Sequence, residues 1–259
     1  MKSPLKVSRL ITLCAALLGA SFANATIVQF QTVKGDFEVN LYDLETPQTV
    51  TNFLRYVESD AYENTFFHRS VSGFIVQGGG YFYDLEADQP KPISANDPVT
   101  NEPKFSNRRG TIAMAKIGSD PNSATVQWFI NLSNNQANLD VQNGGFTVFG
   151  EVMGDGMEVV DAIAKVKTMR FGGAFSDLPL RGYSQSDLED EVPVTDEHLV
   201  MVHNIVVLDG SPDSAADLNP VPNTLISEQS DNKKSSSGSA SWWFMALLML
   251  AGFGLRKRR

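Results

Sequence analysis

Apolar and polar residues alternate through short runs along most of this chain, the pattern of half-buried strands. Residues 26–33 and 37–41 are two such runs, and Phe37, Val39 and Leu41 fall on one face of the second. Lys34-Gly35-Asp36 between them predicts a hairpin. The period then changes: Val50, Phe53, Leu54 and Val57 recur at helical spacing behind Thr46 as N-cap and Pro47 at the first position. A helix packed on a sheet is the expectation. Further strands are predicted over residues 110–115, 126–132, 145–152 and 199–208, with a polar loop over 83–103. A second helix is predicted over 156–167, with Val159, Val160, Ile163 and Val166 as its apolar residues. Short strands with only two helices predict a mainly β fold, a closed antiparallel barrel whose ends the helices plug. A parallel α/β sheet would need a helix after nearly every strand.

The two ends of the chain read differently. Residues 1–25 carry a basic start, an apolar run over 10–20 and Ala23-Asn24-Ala25, the small-x-small pattern of a signal peptide cleaved before Thr26. Cys14, the single cysteine, lies inside that run after Leu13, where a lipidation signal needs a small residue. The mature chain is therefore expected to hold no thiol and to need no disulfide. Residues 210–241 are rich in Ser, Asp, Asn and Pro and predict a disordered linker. Residues 242–259 comprise fourteen uncharged residues that open with paired tryptophans, then Arg256-Lys257-Arg258-Arg259. A short transmembrane helix with a cytoplasmic basic cluster is expected there. This tail resembles the GlyGly-type C-terminal sorting tails of Gram-negative bacteria, with Ser237-Gly238-Ser239 in place of the glycine pair.

Charge narrows the partners. Seven of the 21 basic residues lie in the two ends, leaving 14 against 30 acidic residues, a net of −16 (14 − 30) for the remainder. Such a surface repels phosphate backbones, so nucleic acid is not an expected partner. An acidic run at 187–191 sits in an irregular polar stretch, 170–197, that predicts an excursion on a solvated face. His68, His198 and His203 are scattered, so no metal is expected, and the glycines at 78–80 lack the Lys and Ser/Thr of a phosphate loop. No G-x-S-x-G elbow is present.

The candidate chemistry is concentrated in residues 66–80, Phe-Phe-His-Arg-Ser-Val-Ser-Gly-Phe-Ile-Val-Gln-Gly-Gly-Gly, one cation and two amide or imidazole groups with apolar side chains among glycines. This stretch resembles the F-H-R-x-x-x-G-F-x-x-Q-G-G signature of the cyclophilin-type peptidyl-prolyl cis-trans isomerases. Residues 110–130 resemble the family's G-x-x-x-M-A through Q-x-F-I segment, and residues 146–150 resemble its block ending V-F-G. Three motifs in order, over roughly residues 26–208, imply an eight-stranded barrel capped by two helices, an isomerase acting on Xaa–Pro bonds, and no cofactor. By that resemblance Arg69 contacts the prolyl amide. Phe74, Ile75, Phe129 and Leu139 line the proline pocket, Gln77 and Gln127 orient the substrate backbone and the arginine, Ala115 forms a ledge, and His68 and Phe146 flank the site. The resemblance implies proline-containing polypeptide clients and a monomer. With the ends of the chain, it implies a position on the periplasmic side of the bacterial inner membrane, or release or surface display if the tail is processed.

Departures from the eukaryotic pattern point to the exported bacterial branch. Lys116 and Ile117 replace an Asn-Ala pair, Phe146 replaces a histidine, and Asn138 stands where those members carry the tryptophan that contacts cyclosporin. Weak cyclosporin binding is expected. A membrane-tethered proline-binding chaperone or scaffold, with incidental isomerase activity, is the alternative that the same pocket would serve.

Overall fold

The computed structural model describes residues 26–209 and 218–226. Strands β1 (Ile27–Thr32) and β2 (Gly35–Leu41) form the expected hairpin, with Phe30 opposite Phe37. Helix α1 (Pro47–Glu58) begins with Pro47 as expected. Thr46 is no side-chain cap, because its hydroxyl donates back to the Tyr42 carbonyl. The N–H groups of Gln48 and Thr49 donate instead to the Glu102 carboxylate, the latter at 2.9 Å. A carboxylate there meets both the orphan donors and the positive end of the helix dipole.

The remaining strands of the sheet are β3 (Thr65–Phe66), β4 (Arg69–Val71), β5 (Ile75–Gly78), β6 (Tyr81–Asp84), β7 (Gln89–Pro92), β8 (Thr111–Met114), β9 (Trp128–Asn131), β10 (Val148–Val152) and, last, the long strand Met201–Asp209. The order is β4-β5-β9-β8-β10-β2-β1, then the long strand, then β3-β6-β7. It curls because β3 and β4 are halves of one stretch. Thr65 and Phe66 pair with the long strand and Arg69 to Val71 with β5, while between them Phe67 N–H donates to the Val200 carbonyl and His68 N–H to that of Gln77. The stretch thereby brings the two ends of the curl together. Where a polar loop was expected over 83–103, the β6–β7 hairpin extends the sheet, with Pro90 and Pro92 confined to its edge strand.

Side chains alternate between two faces of these strands. One face carries Val76, Trp128, Ile130, Ile112 and Met114 into the main core, closed by Phe53 of α1 and by Val160 and Ile163 of a second long helix, Gly156–Ala164, shorter than expected. The opposite face carries Ile75, Phe129, Ala113 and Ala115 into a separate apolar cluster. A one-residue slip would exchange the two sets. The functional face is thus specified by the same alternation that builds the core.

Two further expectations are corrected. The stretch 170–197 is not simply a solvated excursion: Phe171, Phe175, Leu178, Leu180 and Tyr183 join Phe66, Leu199 and Met201 in a third cluster, and the Phe175 ring lies 4.8 Å from that of Tyr81. Its longest exposed run, residues 189–193, includes the acidic Glu189, Asp190 and Glu191. The linker expected over 210–241 does not hold at residues 218–226. There Ser106 N–H donates to the Val221 carbonyl and Asn223 N–H to that of Lys104, both at 2.8 Å. Polar composition concealed a segment whose backbone groups find partners on the domain. The expected signal peptide, the rest of the linker and the expected membrane helix lie outside the described residues. Among the described residues no helix is long and apolar enough to cross a membrane.

Candidate active site

Strand register assembles the site. Arg69 of β4 lies opposite Gln77 of β5, and Gln77 lies opposite Phe129 of β9, which lies opposite Ala113 of β8. All four share one face, and two residues along, Ile75 and Ala115 extend it. Gln77 Nε2 donates to Gln127 Oε1 at 2.8 Å, so the two amides are locked together beside the arginine. Gly80 makes room for this, since a Cβ there would come within 2.9 Å of the Gln127 side chain.

The far wall comes from a loop. Leu139 ends the short helix Gln136–Leu139, and Phe146 N–H donates to its carbonyl at 2.9 Å. The Phe146 ring meets the Phe129 ring edge to face at 5.8 Å. Phe74 packs against this cluster while partly exposed, and its carbonyl accepts from Leu132 N–H and Asn135 Nδ2. Phe74, Ile75, Ala115, Phe129, Leu139 and Phe146 thus meet in one apolar cluster, with Arg69, Gln77 and Gln127 beside it, while His68 packs outside it. Asn138 is exposed beside Leu139.

The electrostatics separate the two basic groups. His68 is fully buried against the Tyr81 ring, and desolvation, aided by the neighbouring Arg69 charge, pushes its pKa down to about 3. It is neutral at physiological pH and carries no imidazolium proton to donate as an acid. Burial also lowers the Arg69 pKa, opposed by Asp177, whose Oδ2 lies 3.5 Å from Arg69 Nε. A guanidinium remains charged under these conditions. Arg69 Nη1 is buried with no hydrogen-bond partner among the described residues. The arginine is therefore held at one end, with donor capacity left over at the other.

Asp177 escaped the sequence reading because it lies in the polar stretch far along the chain, with no motif around it. It is placed by backbone pairing, Ser70 N–H donating to its carbonyl at 2.8 Å. Asn107 also escaped notice: its backbone N–H and Nδ2 both donate to Asp140 Oδ1, and Nδ2 reaches the Phe146 carbonyl at 3.2 Å. No local signal marks either residue.

Lys116 is buried with its Nζ 4.7 Å from the Phe146 ring centre, donating to the carbonyls of Asn143 and Gly145. Desolvation lowers its pKa from 10.5 to about 8, with Asp120 opposing. Below pH 8 both folded and unfolded chains carry the proton and the folded state bears the full cost of burying it. Between about 8 and 10.5 the unfolded chain binds the proton and the folded one does not, so this group's contribution to stability rises with pH. The melting temperature of the wild type should accordingly gain on that of Lys116→Met as pH is raised from 7 to 10. A constant difference across that range would contradict the assignment.

A sequence-family model described as cyclophilin type peptidyl-prolyl cis-trans isomerase/CLD matches residues 27–181. Peptidyl-prolyl cis-trans isomerase B of Escherichia coli strain K12 is 40% identical over 159 residues, covering 59% of this chain and 92% of that protein. Peptidyl-prolyl cis-trans isomerase A of Dickeya dadantii is 43% identical over 152 residues, covering 57% and 76%. Among solved structures, a cyclophilin type isomerase of Cryptosporidium parvum superposes with a TM-score of 0.51 at 24% identity, over 71% of this chain and 98% of its own, a likeness of fold.

Proposed function

Because the chain belongs to the cyclophilin-type peptidyl-prolyl cis-trans isomerases and carries their activity, we propose that it accelerates Xaa–Pro rotation in exported polypeptides, with Arg69 as the catalytic group. Rotation must break amide resonance, a barrier of about 18–20 kcal/mol, and needs neither nucleophile nor metal. As the bond twists, the prolyl nitrogen becomes pyramidal and basic. A donor aimed there is stronger for the twisted state than for the planar one, which is the condition for catalysis.

The observation that carries this reading is the single face shared by Arg69, Gln77 and Phe129, with Arg69 Nη1 buried and unpartnered among the described residues. Phe129, Ile75, Leu139 and Phe146 receive the proline ring and exclude water. Gln77 and Gln127, already bonded to one another, present amide groups to the substrate backbone, and Phe74 and Ala115 bound the slot. His68 acts as a buried packing partner. An isomerisation assay on the purified protein tests the chemistry; a rate equal to the spontaneous one would overturn it.

Export is supported by residues 1–25 and by what lies at their end. Thr26 N–H donates to Asp43 Oδ2 at 2.8 Å and its hydroxyl to Oδ1 at 2.9 Å. Cleavage before Thr26 would place a new ammonium on that carboxylate, strengthening a bond already formed. Mass spectrometry of the protein from a Gram-negative host should find Thr26 as the first residue; a retained residue 1–25 segment would overturn export by this route. The same spectrum reads the C-terminus, where residues 242–259 support membrane delivery and periplasmic placement.

With Asn138 in place of an aromatic side chain at the rim, cyclosporin should bind only weakly. A titration giving a sub-micromolar Kd would contradict this.

A further inference from the structure

Two walls of the pocket, Leu139 and Phe146, do not come from the sheet. The loop that carries them has three successive residues in the left-handed region, Asn143 at φ 48°, Gly144 at 75° and Gly145 at 72°. Gly145 N–H closes the turn on the Gln142 carbonyl and Phe146 N–H on that of Leu139, but Asn143 adopts its conformation at a cost that the surroundings must impose. Asn107 and Lys116 hold it from within the domain, as described above. Asn101 Nδ2 adds bonds to the Gly144 and Gly145 carbonyls at 2.8 and 2.9 Å, and a further hold comes from residues 218–226.

That segment runs against residues 104–106: Pro222 bridges Phe105, Ser106 Oγ donates to the Pro222 carbonyl at 3.2 Å, and the two backbone bonds to Val221 and Lys104 fix its register. From this anchor Asn223 Nδ2 donates to the Asp140 carbonyl at 2.9 Å, directly after Leu139. Asn223 Oδ1 accepts from Leu225 and Ile226 N–H, which turns the chain so that Ile226 Cδ1 lies 3.1 Å from where a Cβ of Gly145 would be, directly before Phe146. Leu218, at the other end, packs against the apolar cluster that contains Phe129, Leu139 and Phe146. Both ends of the loop are thus touched by one segment that lies beyond residue 181, where the family match ends.

We propose that residues 218–226 are a strap that sets the position of the Leu139 and Phe146 wall, with Asn223 as its positioning residue. The strap touches no substrate atom. It acts through the wall, and because the reacting geometry tolerates only small displacements, a wall held more loosely weakens the hold on the proline ring. This rests on the assignment of those two residues to the proline pocket.

The test uses the full chain and a Xaa–Pro peptide. Asn223→Asp keeps the acceptor for Leu225 and Ile226 and replaces the donor facing the Asp140 carbonyl with an oxygen. Leu218→Ala removes the apolar contact at the other end and leaves Asn223 in place. Each should raise KM roughly three- to tenfold, the range of one lost hydrogen bond or small contact, with kcat changed less than about twofold. A lower melting temperature with KM unchanged in both variants would make the segment merely structural and overturn the proposal. A rise in kcat/KM would show the strap competing with substrate, which overturns it as well. Phe146→Ala keeps the two failures apart: if it too leaves KM unchanged, the pocket assignment has failed, and if it raises KM while the strap variants do not, only the strap has.

Discussion

Arg69→Ala should lower kcat/KM by about 10² to 10³, the cost typical of removing one preorganised donor from a transition state. The side chain sits on β4 with Nε 3.5 Å from Asp177 Oδ2 and Nη1 buried without a partner among the described residues, so it is oriented from one end and unspent at the other. Alanine leaves the apolar face of Ile75, Phe129, Leu139 and Phe146 intact. Peptide affinity should therefore fall less than about tenfold, and the loss should appear mainly in kcat. Lysine should not restore the rate, since a point charge lacks the planar fork that satisfies Asp177 and substrate together. The pair is partly exposed, so the melting temperature should move by no more than a few degrees, about what a surface substitution costs. Peptide binding and isomerisation lost in parallel would mean that Arg69 only binds substrate. The same variant separates enzyme from tethered binding module: cells in which it behaves as wild type, with peptide binding retained, would favour the second.

The alternation of Phe37, Val39 and Leu41 was legible because strand faces have period two and need no distant information, whereas the apolar runs at Ile75-Val76 and Trp128-Phe129-Ile130 hide their two faces. The signature then identified which face carries chemistry. What could not be read were partners that meet across the chain: Glu102 on the first turn of α1, Asp177 on Arg69, Asn107 and Asn223 on the Leu139 to Phe146 loop. In each case a polar side chain satisfies backbone or charge far from it in sequence, and no periodicity marks such a residue. Phe171 and Phe175 were hidden differently, since large apolar residues at irregular spacing within a polar stretch match neither helix nor strand. Residues 218–226 illustrate the limit of composition. Asn and Pro lowered the expectation of order, yet those same residues supply a turn and a β-bridge once the domain offers partners.

Gly79→Ala should lower the melting temperature by roughly 5–15 °C, at about 2–4 °C per kcal/mol for a domain of this size. Two costs combine. Gly79 has φ +73°, where an L-residue pays about 1–2 kcal/mol. Its Cβ would also lie 2.6 Å from Trp128 Nε1 and 2.9 Å from the Val126 carbonyl. Trp128 is fully buried among Phe30, Phe67 and Tyr62, so it cannot swing aside, and the Val126 carbonyl is backbone that already accepts the Tyr62 hydroxyl. Overpacking of this kind costs about 1–3 kcal/mol. Gly73→Ala separates the terms, because Gly73 has a similar φ of +68° and nothing within 4 Å of its Cβ. It should lose only the strain, a shift of about 2–8 °C on the same scale. Equal shifts for the two variants would remove the packing argument. Trp128 lies between Gln127 and Phe129 on the functional strand, so a displaced ring should disturb the amide pair and the pocket together. Gly79→Ala should therefore lose activity below its melting point, and Gly73→Ala should lose less.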